Sequence, residues 1–125
     1  MPRAQNGTVE IEYQSFGDEA AEVVLLVNGL GSQMTRWPDA FCGKLAARGD
    51  RPIRFDNRDT GLSTWPTQLY TLADMANDGM AVLDAAGVQA AHVAGVSMGE
   101  MIVQRMALDH ADRVLSMTSI MSTTG

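Results

Sequence analysis

The chain has 125 residues, 46% hydrophobic and 19% charged, which is the composition of an ordinary globular protein with material for one core. Fifteen acidic against nine basic residues give a net charge of -6, and no basic stripe gathers the cations, so a nucleic-acid partner is not expected. A lone cysteine, Cys42, excludes an intrachain disulfide and is expected to be a buried core thiol, and no Cys and His spacing suits structural zinc. The amino terminus carries no signal-peptide core, and no stretch nears the ~20 apolar residues of a membrane span. One cytoplasmic domain over residues 1–125 is therefore expected, with no metal, no cofactor and no membrane partner.

In chain order, the first strand-like run is Thr8 to Gln14, whose alternation with polar residues has the look of an edge strand. Glu22 to Asn28 contains Val23-Val24-Leu25-Leu26-Val27, a continuous apolar run expected to be buried on both faces. Trp37, Phe41 and Leu45 recur every four residues, a helical spacing. Pro52 to Asp56 reads as the next strand. Leu72, Met75, Ala76, Gly79, Met80 and Leu83 form a one-sided helical stripe, opened by Thr71 and Asp74 as a capping box. Ala90 to Val96 and Arg113 to Met121 are the remaining strands, separated by an apolar helix from Met101 to Met106. Strands alternating with helix-length crossovers predict an α/β fold, a mostly parallel sheet with flanking helices. Met75, Met80, Met101, Met106 and Met117 are expected to fill gaps in its core.

The chemistry is expected at Gly95-Val96-Ser97-Met98-Gly99, which follows a strand and opens a helix. A nucleophilic serine needs this setting, because a strained turn projects its hydroxyl at the carboxyl edge of the sheet while flanking Gly95 and Gly99 let strand and helix approach closely. The backbone N–H of Met98 then faces a developing oxyanion at a helix amino terminus. Val27-Asn28-Gly29-Leu30-Gly31 ends the most apolar strand in a glycine-rich loop, from which the Leu30 N–H is expected to supply a second donor. A dinucleotide-binding reading of that loop fails at the third glycine, where Met34 stands. Met34 and Met98 are expected to line an acyl pocket with Trp37 or Trp65.

These stretches, together with Trp37-Pro38 and Arg54-Phe55-Asp56-Asn57-Arg58-Asp59-Thr60-Gly61-Leu62-Ser63, make the chain resemble the α/β-hydrolase superfamily, and within it the aclacinomycin-methylesterase-type esterases. The resemblance implies carboxylic-ester hydrolysis through an acyl-enzyme, with Ser97 as nucleophile and the Leu30 and Met98 amides as oxyanion hole. A serine at this position disfavours the dehalogenase branch, which carries aspartate there. The resemblance also implies a turn role for Asp59. Glu100 stands where relatives carry glycine or alanine, and compensation of the helix dipole is its expected role. The superfamily places its triad acid and histidine beyond the sixth strand, whereas this sequence stops at Gly125, so a truncated α/β-hydrolase fold ending after the sixth strand is expected.

Neither histidine is placed to complete the triad. His92 lies five residues before Ser97 on the same strand, hence about 16 Å away. His110 lies thirteen residues after it, at the end of the next helix, hence about 20 Å away. Asp56 and Glu100 are the remaining candidates for a substitute base, and Arg58 is expected to pair with a neighbouring carboxylate. The uncovered edge at Arg113 to Met121 invites pairing with a second copy or with a complementary carboxyl-terminal fragment, either of which could supply a base. The sequence thus supports two readings, an esterase acting on small esters with help from another subunit or fragment, and a catalytically silent remnant or binding module. An acyltransferase or perhydrolase shares the same elbow.

Overall fold

A short hairpin begins the fold. Gly7, at φ +63°, turns Arg3–Asn6 (β1) back onto Val9–Ser15 (β2), with a positive φ at the first central position of a two-residue loop, the II′ pattern. The coordinates are a computed structural model that describes residues 2–29, 33–60, 63 and 70–120. The other strands are Val23–Val27 (β3), Arg51–Phe55 (β4), Ala91–Val96 (β5) and Val114–Ile120 (β6), and the helices are Asp39–Ala47 (α1), Leu72–Ala85 (α2) and Gly99–Asp109 (α3). They form one six-stranded sheet in the order β1-β2-β4-β3-β5-β6. The two hairpin strands are antiparallel to their neighbours, and β4, β3, β5 and β6 run parallel. This is the expected α/β architecture with one correction. The Thr8 to Gln14 run is not the edge, because β1, which the sequence did not announce, lies outside it.

Alternation along β3 divides the interior in two. Val23, Leu25 and Val27 face α2 and α3, joining Ile53, Phe55, Val93, Met75, Leu83, Ile102 and Met106 in the main core. Full burial of a side chain such as Leu25 stabilises the fold by ~1.5–3 kcal/mol. Leu26 faces the other way and joins Trp37, Cys42 and Ala94 beneath α1. The Thr71 and Asp74 capping box is present, with the Asp74 N–H donating to Thr71 Oγ1 at 3.2 Å and the Thr71 N–H donating to Asp74 Oδ2 at 2.8 Å. Burial pushes the Cys42 thiol above its ordinary pKa, as a core role requires.

Two packing expectations need correction. Cys42, not the stripe of Trp37, Phe41 and Leu45, is the residue α1 buries against the sheet. Trp37 precedes the helix and is buried, whereas Phe41 stacks on it at 5.7 Å and remains 39% exposed. Met75, Met80 and Met106 fill the core, but Met101 and Met117 are 50% and 44% exposed. Met101 lies off the face of α3 that buries Ile102, Val103 and Met106, and Met117 belongs to β6, whose described partner is β5 alone. Leu115 and Ile120 are exposed on the same strand.

Candidate active site

At the junction of β5 and α3, Ser97 adopts φ +57°, a left-handed conformation that costs an L-residue ~1–2 kcal/mol. Steric exclusion explains how the turn is held. A Cβ on Gly95 would collide with the Gly99 carbonyl, and a Cβ on Gly99 would collide with the Val27 carbonyl. Strand, turn and helix therefore stack against the end of β3 at backbone contact. The Glu100 N–H donates to the Ser97 carbonyl at 3.1 Å, and the Met101 N–H to the Met98 carbonyl at 3.1 Å, which starts α3 directly behind the serine. Ser97 is exposed and Met98, immediately before the first helical residue, is half-buried. Glu100 lies in the first turn of α3, where a carboxylate complements the helix dipole.

The chain leaving β3 runs against this elbow. A Cβ on Gly29 would stand 3.3 Å from the Met98 nitrogen and 3.5 Å from Ser97 Cβ, so Gly29 approaches both at van der Waals range. Leu30 and Trp65, the expected second oxyanion donor and one of the two tryptophans expected at the acyl pocket, lie outside the described residues. The other, Trp37, is buried with Leu26, Cys42 and Ala94. An open cavity of about 330 Å³ lies elsewhere, lined by Gln14, Phe16, Asp39 and Arg54 among others. Its guanidinium is already bound to Gln14, Asp39 and the Trp37 carbonyl.

The segment after β4 supplies the polar frame. Asp56 Oδ1 accepts the Met34 N–H at 2.7 Å. Asn57 Nδ2 donates to the Asn28 carbonyl at 3.0 Å, and Asn28 Nδ2 donates to the Phe55 carbonyl at 3.3 Å. Ser63 Oγ donates to the Asp56 carbonyl at 2.6 Å and accepts the Glu12 N–H at 2.9 Å. Arg58 pairs with a carboxylate, as expected, through two bonds to Asp78 at 2.7 and 2.8 Å, and its guanidinium lies 5.2 Å over the Tyr70 ring. Hydrogen bonding to Asp78 raises the Arg58 pKa further. Asp59, at φ +63°, holds a turn, and its hydrogen bond to Tyr70 raises the phenol's pKa. Sequence reasoning weighed Asp56 as a base and placed Asn57 in the stretch that carries the family resemblance without giving it a role of its own.

Both histidines are engaged away from the serine. His92 Nδ1 lies 2.7 Å from Ser116 Oγ and its Nε2 lies 3.1 Å from Glu22 Oε1. His110 caps the end of α3, with Nε2 2.8 Å from Asn77 Oδ1. Among the described residues no group of three His, Cys, Asp or Glu is placed to hold a metal ion, and no helix is long and apolar enough to cross a membrane.

Comparison with known proteins agrees with the geometry. The rhodomycin D methylesterase DauP of Streptomyces sp. (strain C5) is 43% identical over 108 residues, covering 84% of this chain and 36% of its own length. The rhodomycin D methylesterase DnrP of Streptomyces peucetius is 40% identical over 116 residues, covering 90% and 39%. The solved structure of Est816, an N-acyl homoserine lactone degrading enzyme, superposes with a TM-score of 0.88 at 29% identity, covering 95% of this chain and 44% of that one. The chain thus spans less than half the length of each protein it is matched with here. The alpha/beta hydrolase fold family matches residues 22–124, from the residue before β3 through the elbow and β6. By sheet order, by elbow and by that match, the chain belongs to the α/β-hydrolase family.

Proposed function

We propose that the chain is the nucleophile-bearing part of a serine hydrolase that cleaves small carboxylic esters. Ser97 Oγ attacks the carbonyl carbon and passes its proton to a base. The oxyanion is held by the N–H groups of Met98 and Leu30. The alcohol leaves with that proton, and water then hydrolyses the acyl-enzyme and restores the serine. Gly95 and Gly99 keep the nucleophile in its turn. The observation that carries this reading is the exposed Ser97 at φ +57°, since a non-glycine residue held in that region between a strand and a helix is the strain expected of a nucleophile elbow. The methylesterase relatives support an ester as substrate.

In this reading base and acid come from outside the described residues, and a second copy or a complementary carboxyl-terminal fragment paired along β6, whose described partner is β5 alone, would supply them. The engagement of His92 and His110 elsewhere favours a second reading, a silent remnant that keeps the oxyanion site without a base. Reaction with a fluorophosphonate probe, followed by intact mass with Ser97→Ala as control, separates the two. Stoichiometric labelling that the substitution abolishes is the outcome of a working hydrolase; an unlabelled chain, alone and with its complementary fragment, is that of a remnant.

A further inference from the structure

We infer that Asp56 and Asn57 are positioning residues for this site, holding the chain that leaves β3 at two points and thereby setting where the Gly29 backbone stands against Ser97 and Met98. The inference rests on the reading of Ser97 as nucleophile. The described pairing of β3 ends at Leu26 on the β4 side and at Val27 on the β5 side, so neither ladder fixes Asn28 and the residues beyond it. Side chains take over at that point. Asn28 Nδ2 reaches the Phe55 carbonyl and Asn57 Nδ2 reaches back to the Asn28 carbonyl, a reciprocal cross-link between the first residue past β3 and the end of β4. Asp56 accepts the Met34 N–H at 2.7 Å, which holds the chain again five residues after Gly29.

Asn28, Asp56 and Asn57 are all at most 3% exposed, so water does not compete for these bonds, and losing one strands a buried polar group. Gly29 is the residue next to Asn28, and the gap between it and the Met98 nitrogen has no slack for a side chain. A shift of Asn28 therefore moves the wall beside the Met98 donor. Oxyanion donors act only when aimed at the position of the developing charge, and each is worth ~10²–10³ in rate. The carboxylate of Asp56 is thus an anchor for a backbone amide, and not the substitute base its place in the sequence suggests.

The test compares Asp56→Ala and Asn57→Ala, which remove the grips, with Asp56→Asn, whose amide oxygen can still accept the Met34 N–H. Fluorophosphonate labelling of Ser97 is expected to slow tenfold or more in both alanine variants and to stay within about threefold of the parent in Asp56→Asn. Amide exchange and amide resonances, read in parallel, do not depend on a reactive serine. The Met34 amide should be protected in the parent and in Asp56→Asn and should exchange at least tenfold faster in Asp56→Ala. The Gly29 and Met98 resonances should shift in the alanine variants. Equal labelling rates in all variants, or Gly29 and Met98 resonances that stay in place, overturn the inference. Should the parent not label, the nucleophile reading fails while the resonances still decide the anchoring. If Asp56→Ala does not fold, Asn57→Ala, which removes one hydrogen bond, still decides whether the grip on Asn28 sets the site, and Gly29 and Met98 resonances that stay in place in it overturn the inference.

Discussion

The elbow and the segment after β4 meet at the same end of the sheet, yet they are held by opposite means. At the elbow, position follows from what is missing. Gly95 and Gly99 lack side chains, backbones touch, and Ser97 is forced to φ +57°. In the segment from Asp56 to Ser63, position follows from what is present, because buried polar side chains find particular partners on β2, on Asn28 just past β3, on α2 and on the turn at Met34. The first mechanism stores strain and the second removes orphaned charge, so the two regions should fail in different ways.

The largest effect is expected where the polar frame is broken. Asp78 is 1% exposed and Arg58 10%, with Asn6 adding a third bond to the same carboxylate at 2.8 Å. Asp78→Ala leaves the guanidinium buried without its counter-ion and should cost ~3–5 kcal/mol in urea unfolding. Adding Arg58→Met to that variant should recover most of the loss, since removing both charges is far cheaper than removing one. A double variant as unstable as Asp78→Ala alone would show that the pair acts through something other than charge.

How much of this was open to sequence reading differs along the same divide. The turn at Ser97 was legible because its determinants are five consecutive residues, Gly95 to Gly99, whose spacing sets the close approach of strand and helix. β3 was legible because Val23-Val24-Leu25-Leu26-Val27 is a continuous apolar run bounded by polar residues, a pattern with few other uses. The frame was not, since Asp56, Asn57 and Arg58 find their partners 22, 29 and 20 residues away, a distance at which composition says nothing about pairing. β1 escaped for a related reason. Arg3-Ala4-Gln5-Asn6 has one apolar residue, and it becomes a strand because β2 pairs with it and the fully buried Ala4 joins the main core. The stripe of Trp37, Phe41 and Leu45 misled because its first member lies outside the helix.

The elbow should respond to relief in place of removal. Ser97→Gly places at φ +57° the one residue that adopts it freely, and stability should rise by about 1 kcal/mol while labelling is lost. Glycine's greater freedom in the unfolded chain offsets part of the gain. Thermal unfolding beside Ser97→Ala, which removes the hydroxyl and keeps the strain, isolates the backbone contribution. A Ser97→Gly variant no more stable than Ser97→Ala would mean that the turn is not strained.

The smallest effect concerns neither region and serves as their control. Cys42 packs with Leu26, Trp37 and Ala94 under α1, and burial raises its pKa from an ordinary value near 9.0. A thiol whose pKa is higher folded than unfolded contributes stability that is fully present below the unfolded value and is lost as pH rises through the folded one, because only the unfolded chain can ionise in between. Unfolding free energy should therefore decline above about pH 9. Tyr70, raised by its bond to Asp59, adds to the slope from about pH 10. Replacing the thiol by a small apolar residue, Cys42→Ala, should remove the part of the slope that begins at the lower pH and leave the Tyr70 part intact. An unchanged slope would place the alkaline instability in the polar frame, where Tyr70 lies against Arg58, and would make that frame the weaker of the two supports at high pH.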